Sequence, residues 1–120
     1  MTPTQRSLSL TLPFPPSVNT YWRRNGGRYF VARAGKLFRC AVSEEIGDNS
    51  PTPTLVGRLR VGIDLFPPDR RRRDIDNFGG KAILDSLYYA GVYEDDEQID
   101  ELVIRRREIS KPGYCTVLVE

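Results

Sequence analysis

The 120-residue chain predicts an α/β (α+β) domain, a mixed β-sheet with two main helices against it, in the order β–hairpin–α–β–α–β–β. Three observations carry this expectation. Arg58 to Phe66 alternates apolar and polar residues without a break, the period-two signature of a half-buried strand. Phe38, Ala41, Val42 and Ile46 fall on one helical stripe. Asn25-Gly26-Gly27 lies between two aromatic segments and reads as a hairpin turn, because Asn and Gly accept positive φ.

Each element has its own signal. Ser7 to Phe14 places Leu8, Leu10, Leu12 and Phe14 on one strand face, and Pro13, Pro15 and Pro16 end it. Thr20 to Val31 is the hairpin, with Tyr21, Trp22, Arg23, Arg24, Arg28, Tyr29 and Phe30 on its arms. Two readings of it stand side by side: a basic, aromatic surface for nucleic acid, or an ordinary hairpin whose rings enter the core. A helix is expected from Gly35 to about Gly47, then a loop from Asp48 to Pro53. The strand Arg58–Phe66 directs Leu59, Val61, Ile63 and Leu65 inward and stops at Pro67-Pro68. A second helix starts at Asp76 or Asn77, both good N-caps. It continues through Ala82, Ile83, Leu84, Leu87 and Tyr88 and stops at Gly91, with Gly79 and Gly80 weakening its first turn. An acidic turn follows at Glu94–Glu97. Strands at about Leu102–Glu108 and Tyr114–Val119 then form a hairpin through Lys111-Pro112-Gly113. Residues 1–120 are expected to make one domain.

Composition narrows the chemistry. An apolar fraction of 39% argues against disorder. No run has membrane-spanning length and no signal-peptide pattern opens the chain, so the expected location is cytoplasmic, with no membrane partner. Cys40 and Cys115 are too few for a disulfide framework or a zinc site. The absence of histidine removes Ser-His and Cys-His triads, HExxH zinc sites and His-metal nucleases together. Any catalysis is left to carboxylates, Lys, Tyr or a metal, and an all-oxygen site suits Mg²⁺ or Mn²⁺. Net charge is only +2, but residues 1–40 hold seven Lys/Arg and no acid, while residues 82–104 hold seven Asp/Glu and no base. The basic third reads as a polyanion footprint and the acidic third as a place for a cation. Solvated faces are the plainer alternative for both.

Asp69 to Lys81 reads DRRRRDIDNFGGK. Arg70 to Arg73 attract phosphate. Asp74 and Asp76 repel it unless a divalent cation intervenes and reverses the local charge. In extended chain, residues i and i+2 project to one side, so both carboxylates would reach one ion. The plainer reading makes Asp76 a helix cap and pairs Asp74 with an arginine. Asp95 and Asp96 follow one helix later, and an Asp from that turn would complete a three-carboxylate site. Lys81 would stand by the scissile phosphate, or would pair with Asp85 on the helix surface.

Three blocks in order resemble the RusA family of Holliday junction resolvases, found in bacteria and phages. The first is Leu12, Pro13, Pro15, Pro16, Ser17, Asn19 and Tyr21 or Trp22. The second is Pro68-Asp69, the arginine run and Asp74-Ile75-Asp76-Asn77. The third is Lys81-Ala82, Leu84-Asp85-Ser86-Leu87, Ala90-Gly91-Val92 and Asp95-Asp96-Glu97-Gln98-Ile99. The resemblance implies metal-binding, catalytic roles for Asp74, Asp76 and Asp96, with Asp95 the less needed neighbour. It implies a catalytic or DNA-contacting Lys81 and a DNA-binding Arg73. With Arg70, Arg71 and Arg72, the hairpin's Arg23, Arg24 and Arg28, and Asn19, this makes the expected DNA-contacting set. The implied activity is Mg²⁺-dependent cleavage of four-way DNA junctions by a symmetric homodimer, with Mn²⁺ as a substitute and no nucleotide cofactor. A non-catalytic junction-binding module and a nuclease of broader branched-DNA specificity are the alternatives. One departure is visible: Phe78-Gly79-Gly80 separates Asn77 from Lys81, one residue more than the family's spacing. In a continuous helix that turns a side chain by about 100°. The two glycines are expected to absorb it as a bulge or loose turn.

Overall fold

The computed structural model describes residues 7–48 and 54–120. Residues 49–53 of the expected Asp48–Pro53 loop therefore lie outside the described residues. Strand β1 (Leu8–Pro13) leads into a single helical turn, α1 (Val18–Tyr21), then β2 (Trp22–Asn25), β3 (Arg28–Val31) and α2 (Arg33–Asp48). Strand β4 (Leu59–Phe66), helices α3 (Ile75–Phe78) and α4 (Lys81–Tyr89), a 3₁₀ turn at Asp96–Gln98, and strands β5 (Ile99–Arg106) and β6 (Tyr114–Val119) follow.

The main sheet runs β1-β6-β4-β5, and β2–β3 forms a separate two-stranded sheet. Leu8, Leu10 and Leu12, with Leu59, Val61, Ile63 and Leu65, are buried on one face, as the alternation requires. Cys115, Val117 and Val119 of β6 join them, and Phe38 and Val42 of α2 with Ala82, Ile83 and Leu87 of α4 complete the cluster. Each fully buried Leu or Ile contributes about 1.5–3 kcal/mol by leaving water. The mixed sheet with helices on it agrees with the expected class.

The strand pairing corrects the sequence reading at one point. β5 and β6 do not form a hairpin: β6 lies between β1 and β4, antiparallel to both, and β5 runs parallel to β4 at the sheet edge. The reason lies in the two sequences. β6 buries alternate residues completely, whereas β5 (IDELVIRR) keeps most of its residues exposed. A charged strand takes an edge, where water satisfies it and where charge discourages indiscriminate pairing.

The second helix is also divided. Its first turn is α3, with Asp74 rather than Asp76 or Asn77 at the N-cap, and α4 begins afresh at Lys81. Gly79 explains the break. A Cβ there would meet Ile104 Cγ2 at 2.6 Å and the carbonyl oxygen of Ile75 at 2.8 Å, so the backbone rests directly on β5. Gly91 stops the element as expected, with φ 82° just beyond α4. The one-turn α1 was not foreseen, although Ser17 signalled it: its Oγ accepts from the Thr20 amide at 3.1 Å.

A partly buried polar cluster fixes the helices and the hairpin to one another. Tyr21 is fully buried at the end of α1, and its hydroxyl donates to Asp85 of α4. Arg39 of α2 donates from Nε to the Tyr21 hydroxyl at 2.7 Å and from Nη2 to Asp85 Oδ2 at 2.6 Å. The Tyr21 carbonyl accepts from the Ala32 amide at 2.8 Å, closing the foot of the hairpin. At its tip Gly26 and Gly27 both have positive φ, 58° and 84°, the two-residue turn that suits strand twist.

Gly79→Ala should destabilise the fold by about 1–3 kcal/mol, because both Ile104 and a backbone carbonyl would have to move. Urea unfolding measures this, and an unchanged midpoint would refute the close-contact account. The Tyr21 phenol is raised above its ordinary 10.0 by burial first and by its bond to Asp85 second. A raised folded-state value means the cluster's contribution is intact below about pH 10 and is lost as pH rises through the raised value. Stability of the wild type should therefore fall more steeply above pH 10 than that of Tyr21→Phe; parallel profiles would contradict the assignment.

Candidate active site

Because β4 and β5 are parallel, the chain leaving the end of β4 must travel back to the start of β5. Residues 67–98 make that return. Arg106 at the end of β5 donates to the Arg73 carbonyl, Gly79 rests on Ile104, and a Cβ on Gly80 would come within 3.8 Å of Ile104 and Leu102. α4 then carries the chain to the far end, where the Leu55 amide bonds the Val92 carbonyl at 2.8 Å and Leu55 pairs with Tyr93. The arginine run and Asp74–Asp76 thus sit beside the end of β5, and Asp96 sits at its beginning.

A cleft of about 590 Å³ opens at the first location, lined by Arg70, Arg71, Arg72, Arg73, Asp74, Ile75, Asp76 and Arg106. Asp74 and Asp76 both face it, as expected from their spacing, but through a different backbone. Asp74 is extended (φ −85°, ψ 132°) and Asp76 already lies in the first turn of α3. The plainer reading of the pair does not hold: the Asp74 side chain makes no cap bond, and among the described residues neither carboxylate has an ion pair. Asp69 takes the arginines instead. Its Oδ1 accepts from Arg73 at 2.8 Å and from the Arg71 amide at 3.0 Å, and these two bonds hold its carboxyl below the usual range.

Arg73 is correspondingly restrained. Its guanidinium also lies 5.4 Å from the Phe14 ring centroid and 5.8 Å from that of Phe78, leaving its side chain 13% exposed. Such stacked, paired arginines hold structure. Arg70, Arg71 and Arg72 are exposed and present their charges to solvent, with Arg71 leaning toward Asp69 at 3.8 Å. Arg106 was missed by the sequence reading. Its signal was the Arg105-Arg106-Arg107 run, which becomes relevant only when β5 is known to end at the cleft.

The expected meeting of Asp96 with Asp74 and Asp76 does not occur within one chain. No group of three metal-binding side chains exists among the described residues. The five residue steps from Ile99 to Ile104 alone span about 17 Å, and the two carboxylate sets lie toward opposite ends of that stretch. Asp96 follows Asp74 and Asp76 by one helix, as the sequence indicates, but in a parallel crossover that helix carries the chain to the opposite end of the sheet.

The acidic turn is organised nonetheless. Asp95 caps it, accepting from the Glu97 amide at 2.9 Å, and Gln98 accepts from the Glu94 and Asp95 amides and donates to the Leu55 and Gly57 carbonyls. Arg58 pairs with Glu97 at 3.0 Å and with Asp100 at 2.6 Å. Asp96 is exposed and takes no such bond among the described residues, which leaves its carboxylate available. Lys81, the first residue of α4, is exposed and unpaired among the described residues. Asp85, its alternative partner, is held by Tyr21 and Arg39. Asn19, Arg23, Arg24 and Arg28 are exposed around the hairpin. Among the described residues no helix is long and apolar enough to cross a membrane.

The donor set is oxygen-only, exposed, and bordered by guanidinium groups. It fits a hard divalent cation facing phosphate, provided a further carboxylate is supplied. Comparison with known proteins gives a consistent result. The family model for endodeoxyribonuclease RusA matches residues 13–118. The chain is similar to the crossover junction endodeoxyribonuclease rusA of Enterobacteria phage HK97, 44% identical over 102 residues, 85% of this chain and 83% of that one. It is 38% identical to the crossover junction endodeoxyribonuclease RusA of Escherichia coli (strain K12) over 111 residues, 92% of each chain. The corresponding protein of Enterobacteria phage 82 is 36% identical over 110 residues, 92% of this chain and 91% of that one.

Proposed function

Because the chain belongs to the RusA family of endodeoxyribonucleases, we propose that it cuts four-way DNA junctions at metal sites shared between two copies of itself. One observation supports the sharing. Asp74 and Asp76 stand toward one end of β5 and Asp96 toward the other, and β5 is an edge strand with Leu102 and Val103 exposed, 40% and 37%. Two identical edges related by a two-fold axis perpendicular to the sheet run antiparallel. Each Asp96 end would then lie against the partner's Asp74–Asp76 end, twice.

Asp74 and Asp76 of one copy and Asp96 of the other would hold Mg²⁺, or Mn²⁺ in its place, through hard carboxylate oxygens. A divalent ion bound there supplies Lewis-acid polarisation of the phosphoryl oxygen and an acidified water. The chain's own contribution is electrostatic and positional. Arg70, Arg71, Arg72 and Arg106 draw the phosphate backbone into the cleft and offset the carboxylates. Arg73, packed over the adjoining Phe14 and Phe78 rings and paired with Asp69, holds the loop that presents them. Lys81, freed from Asp85, would place its ammonium near charge developing on the phosphate. A two-fold dimer offers two equivalent sites to a two-fold junction. The whole described chain would act as one domain.

The wild type should nick a four-way junction in Mg²⁺ and spare linear duplex. Asp76→Asn should abolish nicking while keeping or strengthening binding, since a repulsive charge is removed. Equal cutting of duplex would favour a broader nuclease, and binding without nicking in Mg²⁺ or Mn²⁺ a binding module. A mixed dimer of Asp76→Asn and Asp96→Asn chains tests the sharing directly. One of its sites collects both substitutions and the other neither, so single-strand nicking should return without paired cuts. A mixed dimer that binds junctions yet never nicks would require both carboxylate sets from one chain.

A further inference from the structure

The β2–β3 hairpin stands apart from the main sheet and carries a second groove, of about 550 Å³, lined by Val18, Asn19, Trp22, Arg23, Arg24 and Tyr29. We propose that this groove receives a single unstacked nucleobase of the DNA, held between Trp22 and Tyr29, with its phosphates on Arg23 and Arg24. The proposal rests on the DNA-cutting reading for its ligand and adds a second contact site to it.

Three observations converge. First, Trp22 pairs with Val31 and Arg24 with Tyr29, and opposed residues of an antiparallel pair share a face. Trp22 and Tyr29 are therefore on the same face, two residues apart along the ribbon. That step is about 6.7 Å, twice the roughly 3.4 Å spacing of stacked bases, so one base plane fits between the two levels. Second, one ring is anchored and the other is open. Trp22 is set edge-on against buried Tyr21, with ring centroids 5.3 Å apart and planes at 69°, while Tyr29 is 71% exposed and has the Arg24 guanidinium 5.9 Å from its centroid. An exposed ring on a rigid ribbon is a stacking platform, and stacking accepts any base because every base has a π-face. Third, the charge at the groove has one sign: Arg23 and Arg24 line it, and residues 1–40, from which all its lining comes, contain no acidic side chain. That balance suits a polyanion and disfavours a basic peptide.

A fully paired duplex keeps its bases stacked and offers nothing to this groove, whereas a branch point or single strand does. The hairpin would then sense unpaired bases, separately from the cleft that holds the backbone.

Trp22 is the only tryptophan, so intrinsic fluorescence reports on the groove itself. The full chain is titrated, without divalent ion, with single-stranded oligothymidylate and with a blunt duplex of equal length. Binding is followed independently by anisotropy of the labelled DNA. Bound single strand should quench the emission by more than half and bound duplex far less. Tyr29→Ala should lower the ratio of single-strand to duplex affinity roughly tenfold, and Tyr29→Phe, which keeps the ring, should restore it. Equal quenching by both DNAs, or equal loss on both with Tyr29→Ala, would overturn the base site while junction nicking by the wild type stands. Failure to bind single strand while a four-way junction is bound would overturn this site alone, and failure to bind the junction as well would overturn the nuclease reading with it.

Discussion

The parallel pairing of β4 with β5 governs the molecule. Two parallel neighbours cannot be joined by a tight turn, so everything between Phe66 and Ile99 is obliged to cross the length of the sheet. That crossing places the arginine loop and Asp74–Asp76 beside the end of β5, lays Gly79 on Ile104, and delivers the Asp95-capped turn to the beginning of β5. The same pairing exposes β5 as an edge. The positions of both carboxylate sets, and the surface through which a second copy would reconcile them, follow from one choice of strand direction.

A second constraint keeps the basic hairpin in place. Tyr21, Arg39 and Asp85 come from α1, α2 and α4, and their mutual bonds are partly shielded from water, where such bonds hold geometry better than exposed ones. Asp85 also illustrates how a structural residue and a functional one can be confused. Its distance along the helix from Lys81 suggests an ordinary surface pair, yet its bonds to Tyr21 and Arg39 leave the lysine's charge for other work. Arg73 is the converse case: it sits in a run that looks uniformly available, but Asp69, Phe14 and Phe78 take it into the structure.

Local pattern was a good guide wherever burial alone decided the outcome. The alternation in β1, β4 and β6, the stripe on α2, the positive-φ turn at Gly26-Gly27 and the stop at Gly91 all follow from periodicity and backbone freedom. The family and its activity class were legible from three spaced blocks of residues. What the sequence did not disclose was relational. Tyr114–Val119 and Ile99–Arg106 are both plausible strands, and only their competition for the central position beside β4 decides which is the edge. The direction of β5 beside β4, which no local pattern announces, puts Asp96 at the other end from Asp74 and Asp76. Arg106 was overlooked for the same reason, and Gly79 gave a weak local signal because its partner, Ile104, is 25 positions away.

Carboxylates held apart at opposite ends of an edge strand have a consequence for the cell. On the shared-site reading, a solitary chain, newly made or diluted, would be chemically silent toward the genome it is attracted to. Assembly would act as the safety catch, and abundance, through mass action, as the hand that releases it.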